Sequence, residues 1–243
     1  MRWEVNNAEA KMKLAVMQPY LFPYIGYFQL INAVDRFVLY DDVSFIKQGW
    51  INRNRILVGG KPLFFTVPIK EQSSFRKIRE TEIAEGVRWR NKLFASLKHA
   101  YGKAPYFNEA MDIAVRVLSA KTRLISEMAA LSLISISDYL GIGIKFIHNP
   151  DSYNNSSLKN KERIIDICLK EKADEYINLS GGKELYSKEE FFAKGVGLRF
   201  LEPKEIRYGQ FGTDFISRLS IIDVIMFNPV ERIRDFLGEY TLS

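Results

Sequence analysis

Two adjacent carboxylates, Asp41 and Asp42, follow the apolar run Phe37-Val38-Leu39. At a strand end such a pair can hold a divalent cation, orient a sugar hydroxyl, or take a proton as a general base. Adjacent side chains on a strand point to opposite faces, so only one of the two is expected to face a site unless the strand has already ended. The plain alternative is a turn-forming acidic pair. The nearest cationic and amide groups in sequence are Lys47, Asn52 and Arg53. Arginine suits a bidentate grip on phosphate or carboxylate, and lysine supplies a point charge. Upstream, Gln18, Tyr20, Tyr24 and Tyr27 make an aromatic, hydrogen-bonding wall, and Trp50 adds a second flat face. Aromatic faces stack on sugar or nucleobase rings. They also build cores, a role that suits Phe22 and Phe28 better than the tyrosines.

Weaker signals lie further along. Ser180-Gly181-Gly182 precedes a helix-like segment and can present backbone N–H groups to a phosphate, but it has neither the Walker nor the dinucleotide-binding spacing. His148, just before Asn149-Pro150-Asp151, is a second general-base candidate, whereas His99 beside Tyr101 reads as packing or surface. Cys168 shares an apolar stripe with Ile164 and Ile165 and reads as a buried structural thiol. Tyr208 and Gln210, with Ser220 and Asp223, are placed in the same cleft, although Ser220 and Asp223 at i, i+3 also suit a helix cap. One cysteine and two distant histidines make no zinc site without carboxylates, so no metal ligands are assigned, and the cofactor is left open.

The elements that must carry these groups begin with residues 13–42, which read as strand, tight turn, helix and strand. Leu14 to Met17 form a short apolar run that stops at Gln18-Pro19, and Pro23 closes an aromatic turn. A helix from about Ile25 ends near Asp35, ahead of the β-rich run 36–40. This is a βαβ unit, and ligands of such sheets sit beyond the carboxyl ends of the strands. Residues 50–58 and 63–69 predict a β-hairpin about a Gly59-Gly60-Lys61-Pro62 turn, with Asn52 and Asn54 on one face and Arg53 and Arg55 on the other. A polar loop then leads to another short strand near Ile83. Helices are expected within 87–120, broken at Gly102 to Pro105, and over 122–140, ended by Gly141. The final third alternates: strand 144–147, helix 158–171, strand 175–179, helix 187–194, strand 198–201, then helices 217–227 and 230–237. The fold class is therefore α/β: a Rossmann-like parallel sheet with helices on both faces, a β-hairpin and a helical insertion at about 87–140. Residues 1–11 are expected to be a loose leader and 12–243 a single domain.

With 243 residues the chain can bury a substantial core. A net charge of +6 suits an anionic ligand such as a nucleotide, while no Lys/Arg run resembles a nucleic-acid arm. The single cysteine rules out an internal disulfide and suits a reducing cytoplasm. No apolar stretch is long enough to span a bilayer, and the first residues lack the apolar middle of a signal peptide.

The blocks MQPYLFPYIGYFQLINAVDRFVLYDDV, KQGWINRNRI, YGKAPYF, LSGGKELY and RYGQFGTDFISRLSIIDVIMFN, in this order, resemble the WbqC-like family from about residue 17 to the C-terminal helices. That family is found with genes for bacterial surface polysaccharides such as O-antigen and for modified sugars, so the resemblance implies cytoplasmic tailoring of an activated sugar. A more distant similarity is to the nucleotidyltransferases and pantothenate synthetases, whose first strand leads into a His-x-Gly-His turn. Tyr24-Ile25-Gly26-Tyr27 occupies that place here, and Ser180-Gly181-Gly182 stands where a Ser-rich phosphate turn is often found. Tyrosine hydrogen-bonds phosphate but does not become cationic as histidine does, which argues against adenylyl transfer by the usual chemistry.

The function expected from the sequence is a transferase acting on a nucleotide-activated amino sugar, forming an amide on the sugar amine. Lys47 and Arg53 would grip phosphate, Asp41 would serve as base, and Tyr20, Tyr24 and Trp50 would form aromatic walls. The expected partner is a small molecule, a nucleotide-linked sugar; homo-oligomerisation is left open. ATP-dependent activation of a carboxylate, or nucleotide-sugar binding without catalysis, are the alternatives.

Overall fold

The computed structural model describes residues 11–148, 150–212 and 214–243. Apart from Lys11, the expected leader lies outside the described residues.

Among the described residues, eight strands and eight α-helices are formed. β1 (Lys13–Met17) leads through the proline turn into α1 (Ile25–Asn32) and β2 (Arg36–Leu39). A hairpin, β3 (Arg53–Val58) and β4 (Lys61–Thr66), follows. Three helices come next: α2 (Arg88–Tyr101), α3 (Phe107–Leu118) and α4 (Ile125–Leu140). The chain then runs through β5 (Lys145–Ile147), α5 (Asn160–Lys170), β6 (Glu175–Leu179), α6 (Lys188–Phe192), β7 (Gly197–Pro203), α7 (Ile221–Phe227), α8 (Val230–Leu237) and β8 (Tyr240–Leu242). The main sheet has the order β5-β2-β1-β6-β7-β8, parallel throughout except for β8, and the hairpin is separate. This is the Rossmann-like α/β arrangement expected from alternating strand and helix patterns.

The period of two within each strand divides the core between the sheet's faces. Ala15 and Phe37 pack with α1, the hairpin and the helices of the middle third; Leu14, Val16 and Val38 pack with Ile164, Ile167 and Cys168 of α5 and Phe191 of α6. Gln29 shows how firmly α1 is seated: it is fully buried, and its amide donates to the carbonyls of Phe236 and Glu239 at 2.7 and 2.9 Å.

Several boundaries differ from the sequence reading. Val58 pairs with Lys61, so the turn is the two-residue Gly59-Gly60, with φ of +57° and +74°. Two positive φ values define the twisted turn that glycine adopts without strain. Pro62 therefore sits inside β4, tolerable because β4 pairs with β3 alone and proline is accepted on an edge. Residues 50–52 are not part of β3; the carbonyls of Trp50 and Asn52 accept from Leu21 and Val67 N–H instead. Ile83 makes only an isolated bridge to Ile69. α7 starts at Ile221 rather than near 217, where Ser220 accepts from Ile222 N–H as its cap. The short β8 carries too few residues for a period to be seen. Among the described residues, no helix is long and apolar enough to cross a membrane.

Candidate functional site at the carboxyl edge of the sheet

From β1 the chain proceeds to β2 and β5 on one side, then returns to β6 and β7 on the other. The switch point between β1 and β6 leaves a crevice beyond the strand ends, the place where open α/β sheets bind ligands. A cavity of about 690 Å³ opens there, walled by Tyr24 and Ile25 at the head of α1, Ser180 and Gly181 after β6, and Ile206, Tyr208 and Phe215 from the segment after β7. That volume lies within the usual range for small-molecule sites.

Glycine is needed at two points of this wall. A Cβ on Gly26 would lie 2.3 Å from the Tyr24 ring, so only glycine lets that ring lie against the first turn of α1. A Cβ on Gly182 would lie 2.5 Å from Asn178 Nδ2, so only glycine lets the turn after β6 fold back onto Asn178. Tyr24 remains partly accessible, and burial raises its phenol against the opposing pull of the Arg218 charge. Tyr27 is fully buried; its hydroxyl donates to Gln18 O at 2.6 Å, and its ring packs 5.5 Å from those of Tyr20 and Phe37. Tyr27 thus supports the wall and does not line the cavity. Tyr20 packs against Tyr27 and is not among the cavity's lining residues.

The acidic pair lies at the end of β2, on the other side of β1, and its two carboxylates have different surroundings. Asp42 forms a buried ion pair with Arg163 of α5, their side chains 1% and 7% exposed. Arg163 also donates to Asn155 Oδ1 at 2.9 Å and lies 4.9 Å over the Tyr40 ring. Asp42 is therefore engaged in holding α5 to the strand end. Asp41 is partly accessible, and burial pushes its carboxyl up to about 6, with the Arg79 guanidinium opposing that rise and Asp42 adding to it. Arg79 is itself ion-paired to Asp151, and its N–H donates to Asp41 O at 2.9 Å. Among the described residues, Gln18 Oε1 and Asp41 Oδ1 are buried and without a hydrogen-bond partner, at the carboxyl ends of neighbouring strands. A carboxylate protonating near pH 6 with a free oxygen is suited to accept a proton at neutral pH.

The remaining candidates are placed elsewhere. Asn52 is buried and donates to Val67 O at 2.8 Å. Arg53 donates to Gly49 O at 3.1 Å and lies 4.5 Å over Phe64, so it braces the outer face of the hairpin. Trp50 lies in the same stack, 5.9 Å from Phe64 and 5.6 Å from the Arg55 guanidinium. Lys47 is exposed on the segment before the hairpin. His148 follows the edge strand β5 and is only partly covered, and partial desolvation of its ring lowers its pKa. Three strand spacings separate β5 from β6, about 14 Å. Cys168 is fully buried, and burial pushes its thiol up to about 12, which makes it unreactive. Among the described residues, no three His, Cys, Asp or Glu side chains are grouped to hold a metal ion.

Tyr208 lines the cavity, whereas Gln210 is not among its lining residues, and the polar atoms of both are taken. The fully buried Asp223 accepts from Tyr208 at 2.6 Å, Tyr101 at 2.7 Å and Gln210 Nε2 at 2.7 Å. Gln210 also accepts from Ile216 N–H at 2.9 Å and so fastens the segment that forms the cavity's outer wall. Tyr208→Phe is expected to cost about 1.5–3 kcal/mol of stability, the range for a hydrogen bond to a charged group, in equilibrium urea denaturation. A cost near zero would mean that the remaining donors satisfy Asp223.

Arg79, Arg163 and Arg218 were not foreseen. Arg163 had a signal: it is four residues before Ile167 on the apolar stripe of α5, and a cation on such a stripe calls for a buried partner. Arg79 and Arg218 had none.

Two comparisons bear on this arrangement. Residues 18–235 match the model of the WbqC-like protein family. An uncharacterised protein of Mycobacterium tuberculosis (strain ATCC 25618 / H37Rv), Rv1507c, is 31% identical over 228 residues, covering 93% of this chain and 97% of the relative.

Proposed function

The chain belongs to the WbqC-like protein family, and from that membership and the carboxyl edge of the sheet we propose that it is a transferase acting on a nucleotide-activated amino sugar in surface-polysaccharide biosynthesis. The observation that carries the reading is Asp41: a carboxyl pushed up to about 6, with one oxygen free, at the end of β2. β1 alone separates β2 from β6, so the cavity edge at Ser180 lies about 10 Å away. A nucleotide in the cavity can then extend its sugar towards Asp41. In amide formation the sugar amine attacks the acyl carbonyl, the new C–N bond replaces the bond to the donor's leaving group, and the amine's proton passes to Asp41.

The alternative of ATP-dependent carboxylate activation has less support. Tyr24 and Tyr27 are neutral, their phenols raised by burial, and Tyr27 is sealed from the cavity. The test is incubation of the purified protein with a panel of nucleotide amino sugars, acyl donors and ATP, followed by mass spectrometry. An acyl mass increment on the sugar without ATP consumption is expected. Adenylate formation would transfer the assignment to the alternative, and binding without any mass change across the panel would overturn catalysis.

A further inference from the structure

The segment between β7 and α7 forms the outer wall of the cavity, and the charges on that wall are not equivalent. Glu202 is paired with Lys183 at 3.3 Å, Lys204 with Glu239 at 3.1 Å, and Glu205 with Arg207 at 2.9 Å. Arg218 also lines the cavity, and among the described residues its guanidinium has neither an ion partner nor a hydrogen-bond acceptor. Among the described residues it is thus the one lining charge without an ion partner.

Its backbone is held in place for a reason that packing does not supply. Arg218 has φ of +56°, a left-handed conformation that costs energy for a side chain other than glycine, while the side chain is exposed. Arg55 fixes that conformation from both sides. Its guanidinium donates to Arg218 O at 3.1 Å, and its own carbonyl accepts from Ser220 N–H at 2.9 Å. Ser220 Oγ then donates to Phe22 O at 2.8 Å, tying the segment to the turn before α1. The result is a rigid mount for a long cationic side chain beside Tyr24, whose phenol feels the Arg218 charge. A single unpaired guanidinium in a pocket that also offers the hydroxyls of Tyr24, Ser180 and Ser217 selects an anion with several acceptor oxygens.

We infer that Arg218 is the anion-gripping residue of this cavity and that the group it holds is the diphosphate of a nucleoside diphosphate or its sugar ester. The inference rests on the proposed nucleotide-sugar function for the nucleoside, but the grip on the phosphates stands on the geometry of Arg218 alone. It replaces Lys47 and Arg53, which lie before and on the hairpin, in that role.

The probes are inorganic pyrophosphate, a panel of nucleoside diphosphates and the matching nucleosides, titrated calorimetrically into wild type, Arg218→Ala and Arg218→Gly. The expected result is binding of pyrophosphate and at least one diphosphate by wild type, weakened about tenfold or more in both variants. Nucleoside binding should be unaffected. Arg218→Gly should keep or raise the melting temperature, because glycine adopts the left-handed conformation freely. Diphosphate affinity unchanged in both variants would overturn the role of Arg218 while leaving the nucleotide reading standing. Loss of stability in Arg218→Gly in parallel with affinity would assign Arg218 to packing and likewise overturn it. Pyrophosphate binding that depends on Arg218, without binding of any nucleotide, would keep the anion site and remove the nucleotide sugar. No binding of either class by wild type would overturn both.

Discussion

Arg163→Met is expected to destabilise the protein by about 3–5 kcal/mol, the range seen when one member of a buried ion pair is removed. The pair Arg163–Asp42 joins the first turn of α5 to the segment just after β2, and both side chains are almost wholly out of solvent. Desolvating each charge is costly, and their mutual attraction offsets that cost only while both are present. Methionine leaves the Asp42 carboxylate buried with its remaining oxygen already without a partner. It also releases Asn155 Oδ1 and removes the guanidinium from the Tyr40 ring. The double change Asp42→Leu with Arg163→Met removes both charges and should recover most of the loss. Equilibrium denaturation of the two single variants and the double decides the matter. A double variant no more stable than the single changes would show that packing around Arg163, and not charge pairing, sets the cost.

Asp41→Asn is expected to lower turnover by about 10²–10⁴-fold, the contribution of a positioned general base, and at the same time to stabilise the fold. The two effects share one cause. Burial raises the carboxyl to about 6, against the opposing Arg79 charge, so the ionised form is disfavoured in the folded protein relative to the unfolded chain. For an acid whose folded pKa is raised, the unfolded state holds fewer protons between the two values, so stability falls as pH rises from about 4 to about 6. Above that window the penalty is complete, and asparagine removes it. Thermal denaturation should therefore show the variant more stable than wild type at pH 7–8, with the difference vanishing near pH 4. Wild-type activity should rise with a midpoint of about 6. Equal melting temperatures at every pH would remove the electrostatic argument, and full activity of Asp41→Asn would remove the base.

The contrast between Asp41 and Asp42 marks the limit of what local pattern can tell. Alternation along a strand would point adjacent carboxylates apart, but β2 ends at Leu39, before either of them, and it is their surroundings that differ. Which of them is consumed structurally depends on Arg163, 121 residues further along. The hairpin shows the same limit. The arginines and asparagines fall on opposite faces as alternation requires, but the face bearing Arg53 turns out to stack on Phe64 away from the cavity. Tyr24 and Tyr27 stand three residues apart at the head of one helix, yet one borders the cavity and the other is sealed beneath it. Residues 217–219 read as helix because their types permit it; the clamp from Arg55 instead fixes Arg218 in the left-handed region.

From the sequence alone came the βαβ opening, the alternation of strands and helices in the final third, the hairpin, the three helices between them and the family resemblance. These are consequences of hydrophobic period and turn chemistry, which act over a few residues and are written locally. The tertiary structure alone decided strand order, and hence where the crevice opens, as well as which charges neutralise one another and which remain free. Those depend on desolvation and on partners far apart in the chain, and neither is encoded in the spacing of neighbouring residues.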